Sequence, residues 1–137
     1  MSGHIHRRTF QVAMSDVDVA QIHFTALHRW IDQGLSFWLT EVGHPFTRLL
    51  AEGPGVPIVN LTTRISGRML LDDRITQATW IGGIGRTSFR SRHRFTRADE
   101  LMAESELVHV CVNRDTREPT PVPDWLRAHE LPDTVAV

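Results

Sequence analysis

Two carboxylates one residue apart, Asp16 and Asp18, sit in the run Ser15-Asp16-Val17-Asp18-Val19-Ala20, and His23 follows shortly after. An ionised carboxylate can attack a carbonyl carbon or direct water at it, provided the carbonyl oxygen is stabilised as charge develops on it. The run stands between an alternating, strand-like segment and a long amphipathic segment that begins near Ala26. The first turn of a helix offers N–H groups with no internal partner and the positive end of the macrodipole, which is what a developing oxyanion needs. An aspartate on the loop entering such a helix therefore suits ester or thioester hydrolysis. A plain turn-forming or capping aspartate would occupy the same position. His23 could orient water or contact an acyl group, or simply line a pocket.

Other chemistries are removed by composition. All fifteen cationic residues are arginine and tyrosine is absent, so lysine Schiff bases, phosphate-binding lysines and tyrosine general acids are excluded. A formal charge of −1 argues against a nucleic-acid binder. No metal is expected, because neither the Asp16/Asp18 pair nor the His4/His6 pair is joined by further ligands at telling spacing. The lone Cys111 lies in the apolar run Leu107 to Val112 and reads as a buried structural thiol. With no long uncharged stretch and no signal-like N-terminal block, neither membrane insertion nor export is expected, and the cytoplasm is the default location.

The elements that must hold these residues follow from periodicity. The 137 residues fit a single domain, 1–137. A first strand is expected over Ile5 to Met14, where Phe10, Val12 and Met14 alternate. From Ala26 to Val42, Leu27, Trp30, Ile31, Leu35, Trp38, Leu39 and Val42 recur at spacings of three and four, the stripe of one buried helix face. Gly43 and Pro45 end it. Four strands are expected after a Gly/Pro-rich connection, over Ile58 to Ser66, Arg74 to Ile81, Thr87 to Thr96 and Met102 to Asn113, with a short helical turn at Trp125 to His129. One strand, one long helix and four consecutive strands imply an α+β fold, an antiparallel sheet packed on the helix.

Ser15-Asp16-Val17-Asp18-Val19-Ala20-Gln21-Ile22, leading into His28-Arg29-Trp30-Ile31-Asp32, resembles the Asp-x-Asp loop and central helix of the hot-dog-fold acyl-CoA thioesterases, in particular the 4-hydroxybenzoyl-CoA thioesterase-like branch. Weaker similarities follow at Gly55-Val56-Pro57-Ile58-Val59 and at Thr87 to His93. The chain departs from the family pattern at Gln21, where glycine is common, and near Thr25 and Ala26, where the family commonly has an Asn-Tyr pair in a loop one residue longer.

The resemblance implies a five-stranded sheet wrapped around one long helix. It implies an enzyme that hydrolyses a short-chain or aromatic acyl-CoA with Asp18 as the acting carboxylate. The oxyanion donor would be a backbone N–H among Phe24, Thr25 and Ala26. His23, Trp30, Val59, Asn60, Arg90 and Arg92 are the expected substrate contacts, with no cofactor beyond the coenzyme A of the substrate. Whether Asp18 attacks the carbonyl or activates water is open, and either route needs it ionised. Arg86, Arg90, Arg92 and Arg94 share one parity of their strand. They read either as a solvated outer face or as contacts to coenzyme A phosphates, which suit the guanidinium fork. Self-association is expected, since one sheet around one helix leaves sheet edge and helix flank exposed, and the resemblance implies dimers that share active sites at their interface, often assembled into tetramers. Two rival classes share the architecture: a non-catalytic acyl-CoA or acyl-carrier binding protein, and a hydratase or dehydratase built on His23 or His28.

Overall fold

The computed structural model describes residues 3–132. Five of its strands form one antiparallel sheet: β1 (His6–Gln11), β4 (Ile58–Ile65), β5 (Arg74–Gly82), β6 (Ser88–Arg97) and β7 (Glu100–Val110), in the order β1-β5-β6-β7-β4. The short strands β2 (Val17–Asp18) and β3 (Gln21–Ile22) form a separate hairpin. Helix α1 (Phe24–Glu41) packs against β1, β5 and β6, so the expected α+β arrangement of a sheet around a long helix is the one observed. Among the described residues no helix is long and apolar enough to cross a membrane.

The α1 stripe folds as its spacing demands. Ala26, Leu27, Trp30, Ile31, Gly34, Leu35, Trp38 and Leu39 are buried, while His28, Arg29 and Asp32 are exposed. Burying each of the larger apolar side chains contributes roughly 1.5–3 kcal/mol, which is why the stripe governs the helix. Gly43, at φ +86°, supplies the left-handed residue that stops it, and the His44 N–H donates back to the Leu39 carbonyl at 2.9 Å.

Several boundaries differ from the sequence expectation, each for a local reason. The first strand ends at Gln11 because the Asp16 carboxylate accepts from the Ala13 N–H at 2.8 Å and turns the chain, leaving Met14 exposed. The helix opens at Phe24 because the His23 side chain accepts from the Thr25 N–H and caps it earlier than the apolar stripe begins. A further helix, α2 (Phe46–Glu52), occupies a segment with no sequence assignment, docking Leu49 into the core. The last strand ends at Val110, and α3 (Asp124–Arg127) is the short turn near the C-terminus.

The core is split. Trp30, Phe95, Ile75 and Leu107 belong to one apolar cluster, and Trp38, Ile81, Phe89 and Cys111 to another. Between them, on the sheet face under α1, runs a polar band of Gln77, Thr79, Ser91, His93 and His109. Gln77 is satisfied on both sides: its amide N–H donates to the Trp30 carbonyl at 2.8 Å, and its carbonyl accepts from Arg8 at 2.8 Å. Gly34 lies directly over the band, where a Cβ would stand 2.4 Å from Gln77 Nε2 and 2.5 Å from Thr79 Oγ1. Cys111 is buried, and burial pushes its thiol up to about 11.

α1 packs chiefly on β1, β5 and β6 rather than on the edge strand β4. Ile58, Leu61 and Ile65 of β4 fall in register opposite His109, Leu107 and Ala103, whose side chains point under the helix, yet all three stay exposed. One apolar strip of the concave face is left bare.

Candidate active site

The Asp18 hairpin is pinned from three sides. Asp18 pairs with Gln21 across a two-residue turn of Val19 and Ala20. Val19 has φ +68°, a left-handed conformation that a β-branched residue adopts only at a steric cost. The hairpin is tied to the loop before β5 by Ile22 N–H to the Met69 carbonyl (3.0 Å) and Leu71 N–H to the Ala20 carbonyl (2.9 Å). Gln21, where the family commonly has glycine, bridges Leu70 and accepts from Arg68 at 3.2 Å. The buried Asp16 then fixes the near side, accepting from Ala13 and from Arg29 of α1.

β3 runs into α1 through His23, whose N–H donates to the Asp16 carbonyl at 2.8 Å. At the helix start the three candidate amides separate. Thr25 N–H donates to His23 Nδ1 at 3.2 Å, and Ala26 N–H to the His23 carbonyl at 2.9 Å. Among the described residues the Phe24 N–H meets no acceptor, so it is the donor left free at the positive end of α1. Because His23 Nδ1 accepts, the neutral ring carries its proton on Nε2. The ring stacks on Phe24 with centroids 4.6 Å apart, and His28 meets Phe24 edge-on at 5.9 Å.

Asp18 is exposed, as are its neighbour Val19 (98% exposed) and, at the start of α1, Phe24 (60% exposed). An exposed carboxylate can act on a carbonyl group whose oxygen a free helix-start amide stabilises.

Of the expected contacts, Asp18 lies on the hairpin whose second strand runs through His23 into the Phe24–Ala26 opening of α1, and the others lie elsewhere. Trp30 is 3% exposed, packed between Phe10 and Phe95 at centroid distances of 4.7 and 6.0 Å. Val59 and Asn60 are exposed on β4. Arg90 and Arg92 project from the sheet face turned away from α1 and share the carboxylate of Glu106 at 3.1 and 2.6 Å. Among the described residues no group of three or more His, Cys, Asp or Glu is arranged to hold a metal ion.

The ion pair of Asp16 with Arg29 joins residues thirteen positions apart and carries no local sequence signal. Ser91 and His93 occupy the strand parity opposite the arginines, and their partners Thr79 and His109 come from neighbouring strands that local periodicity does not join to them.

The fold and the family match make the chain a hot-dog thioester hydrolase. Residues 12–129 match the thioesterase-like superfamily, and the chain belongs to it. Its fold is similar to a gentisyl-coenzyme A thioesterase, at 25% identity and TM-score 0.78 over 89% of this chain and 99% of that one. It is similar to a 1,4-dihydroxy-2-naphthoyl-CoA thioesterase from Synechocystis, at 18% identity and TM-score 0.82 over 92% and 95% of the two chains. A third similar fold is an aspartate-to-asparagine mutant of 4-hydroxybenzoyl CoA thioesterase complexed with 4-hydroxybenzoyl CoA, at 21% identity and TM-score 0.80 over 92% and 99%. No curated protein sequence matches the chain significantly.

Proposed function

We propose that the protein hydrolyses acyl-CoA thioesters with an aromatic or short acyl group, using the Asp18 carboxylate and the Phe24 N–H. One observation carries this reading: an exposed carboxylate on a hairpin pinned to the start of α1, whose first amide has no acceptor. The thioester carbonyl oxygen accepts from Phe24 N–H as it gains charge. In one route Asp18 attacks the carbonyl carbon, coenzyme A leaves as a thiolate, and water cleaves the mixed anhydride to free acid and Asp18. In the other, Asp18 takes a proton from water as water attacks. The three similar enzymes named above act on thioesters of aromatic acids, and the exposed Val19 next to Asp18 and Phe24 at the start of α1 suit such a group.

The second half of the site is a second copy. β4 is an edge strand carrying the bare apolar residues Ile58, Leu61 and Ile65, and pairing two such edges buries them. Val59 and Asn60 lie on that strand and enter the site only through such an assembly. Arg90 and Arg92 stay outside this reading because Glu106 holds them on the far face.

The test is thiol release from a panel of aromatic and short-chain acyl-CoAs by the wild type and by Asp18→Asn. Turnover falling by about 10²–10⁴-fold with folding intact is the expected result. Near-normal turnover by the variant on every substrate would overturn it, and tight binding without release by the wild type would favour a non-catalytic binding protein. Sedimentation at low micromolar concentration should give a dimer or larger, and a fully active monomer would remove the shared site.

A further inference from the structure

Among the described residues, the non-glycine positions with positive φ are Val19, Asp72, Ala98, Asp99 and Arg117, and Val19 alone of these is β-branched. Aspartate visits the left-handed region at modest cost, whereas a branched Cβ crowds the backbone there. Val19 opens the two-residue turn that joins Asp18 to Gln21, a position that a left-handed φ ordinarily gives to glycine. The turn is not free to relax, because the Ala20 carbonyl accepts from the Leu71 N–H at 2.9 Å and the Ile22 N–H donates to the Met69 carbonyl at 3.0 Å. Packing within the chain offsets none of the cost, since the side chain is 98% exposed. A strained apolar side chain that the fold itself does not use is one that something outside the chain uses.

We propose that Val19 selects the acyl group of the substrate, its two methyls meeting the apolar body of that group while Asp18 acts on the thioester carbonyl. The inference rests on the hydrolase reading above and adds to it the residue that sets acyl preference. Asp18 and Val19 are consecutive, with Cα atoms about 3.8 Å apart, and both are exposed at one turn, so a substrate that reaches the first meets the second. Of the two arms of an acyl-CoA thioester, the coenzyme arm carries amides that a valine cannot satisfy, and the acyl arm offers the carbon surface that it can cover. A β-branched side chain has few rotamers to lose on contact, and the pinned turn holds it in one place.

Thiol-release kinetics with benzoyl-CoA and acetyl-CoA test it on the wild type, Val19→Gly and Val19→Thr, alongside thermal melts and sedimentation. Val19→Gly removes the side chain and relieves the turn. Its kcat/KM for benzoyl-CoA relative to acetyl-CoA should fall about tenfold, the scale on which small apolar groups discriminate substrates, while its melting midpoint holds or rises. Val19→Thr keeps the branched shape and the left-handed turn but exchanges a methyl for a hydroxyl, and should lower the same ratio with a midpoint near that of the wild type. A ratio unchanged in both variants would overturn the proposal. So would equal losses on the two substrates, which would make Val19 a support for the aim of Asp18. A lowered midpoint in Val19→Gly would show that the side chain packs within the fold, and dissociation into smaller species would assign it to a contact between copies; either result overturns selection by Val19. The hydrolase reading fails separately, on a wild type that releases no thiol from any acyl-CoA.

Discussion

Arg29, in the second turn of α1, donates to the buried carboxylate of Asp16 two residues before Asp18, so the hairpin is held to the helix by a charge-assisted bond. The same carboxylate accepts from the Ala13 N–H at 2.8 Å, and the Asp16 carbonyl accepts from His23. One residue thus joins the end of β1, the hairpin and the start of α1. Removing one partner of a buried charge pair costs about 3–5 kcal/mol, and the half-exposed Arg29 places this pair at or below the low end.

Asp16→Ala should therefore lower stability by about 2–3 kcal/mol and the melting midpoint by several degrees. Arg29→Lys, which keeps the charge and loses the fork, should lose only part of that. In variants that remain folded, kcat should fall more than KM rises, because what shifts is the aim of Asp18 at the carbonyl. Denaturant melts with steady-state kinetics check both; a variant losing stability with unchanged kcat would show the pair to be structural only.

The buried band has a fixed proton order. His109 Nδ1 faces the Val56 carbonyl at 3.2 Å and must donate, so its Nε2 accepts from the Ser91 hydroxyl at 2.9 Å. Ser91 Oγ then accepts from His93 Nε2 at 3.2 Å, and His93 Nδ1 accepts from the Thr79 hydroxyl at 3.1 Å. Both rings are neutral in this order, and an added proton would force a buried hydroxyl to give up its donor role. Burial, with His109 nearby, pushes His93 down to about 3, and burial lowers His109 as well.

Between the unfolded value near 6.5 and the folded value near 3, the unfolded chain holds the extra proton. Stability is therefore full above about pH 6.5 and is lost as pH falls, by up to about 1.4 kcal/mol per unit per histidine. Asp73, held low by the Leu70 N–H and by Arg97, adds a loss in the same direction only below the carboxylate range, so the slope above pH 5 isolates the histidines. Urea melts at pH 7, 6 and 5 should show the decline, and His93→Gln should flatten it. A flat wild-type profile would contradict buried neutral rings.

Gly34→Ala sets two effects of opposite sign against each other. Helix propensity favours alanine by about 1 kcal/mol. The new methyl would meet Gln77 Nε2 and Thr79 Oγ1 at 2.4 and 2.5 Å, and the Gln77 amide is held by the Trp30 carbonyl and Arg8. Forcing these apart costs about 1–3 kcal/mol, so net destabilisation is expected, readable as a lower midpoint in thermal melts.

The α1 stripe and the four late strands were legible because their periods of 3.6 and 2 extend over many residues. The β2/β3 hairpin was not, since two-residue strands carry no period, and α2 escaped for the same reason, with one buried leucine in seven residues. Asp18 could be singled out by its place before the helix. The free Phe24 amide could not, because it depends on His23 acting as the cap, and histidine is not among the favoured capping residues. Strand parity put the arginines on one face, but their pairing with Glu106 follows from the register of β6 on β7, which a single sequence does not encode locally. Trp30 sat on the buried stripe from the start, and its packing against Phe10 and Phe95 decides for the core.

The polar band beneath Gly34 acts as a detent. Sliding α1 by one turn along the sheet would press a larger side chain onto Gln77 and Thr79 and strand their hydrogen bonds among aliphatic groups, so only one axial setting is comfortable. That setting dictates where the opposite end of the helix stops, and with it how far the Phe24 amide stands from the Asp18 hairpin. A notch in the middle of the molecule thereby sets the aperture at its rim.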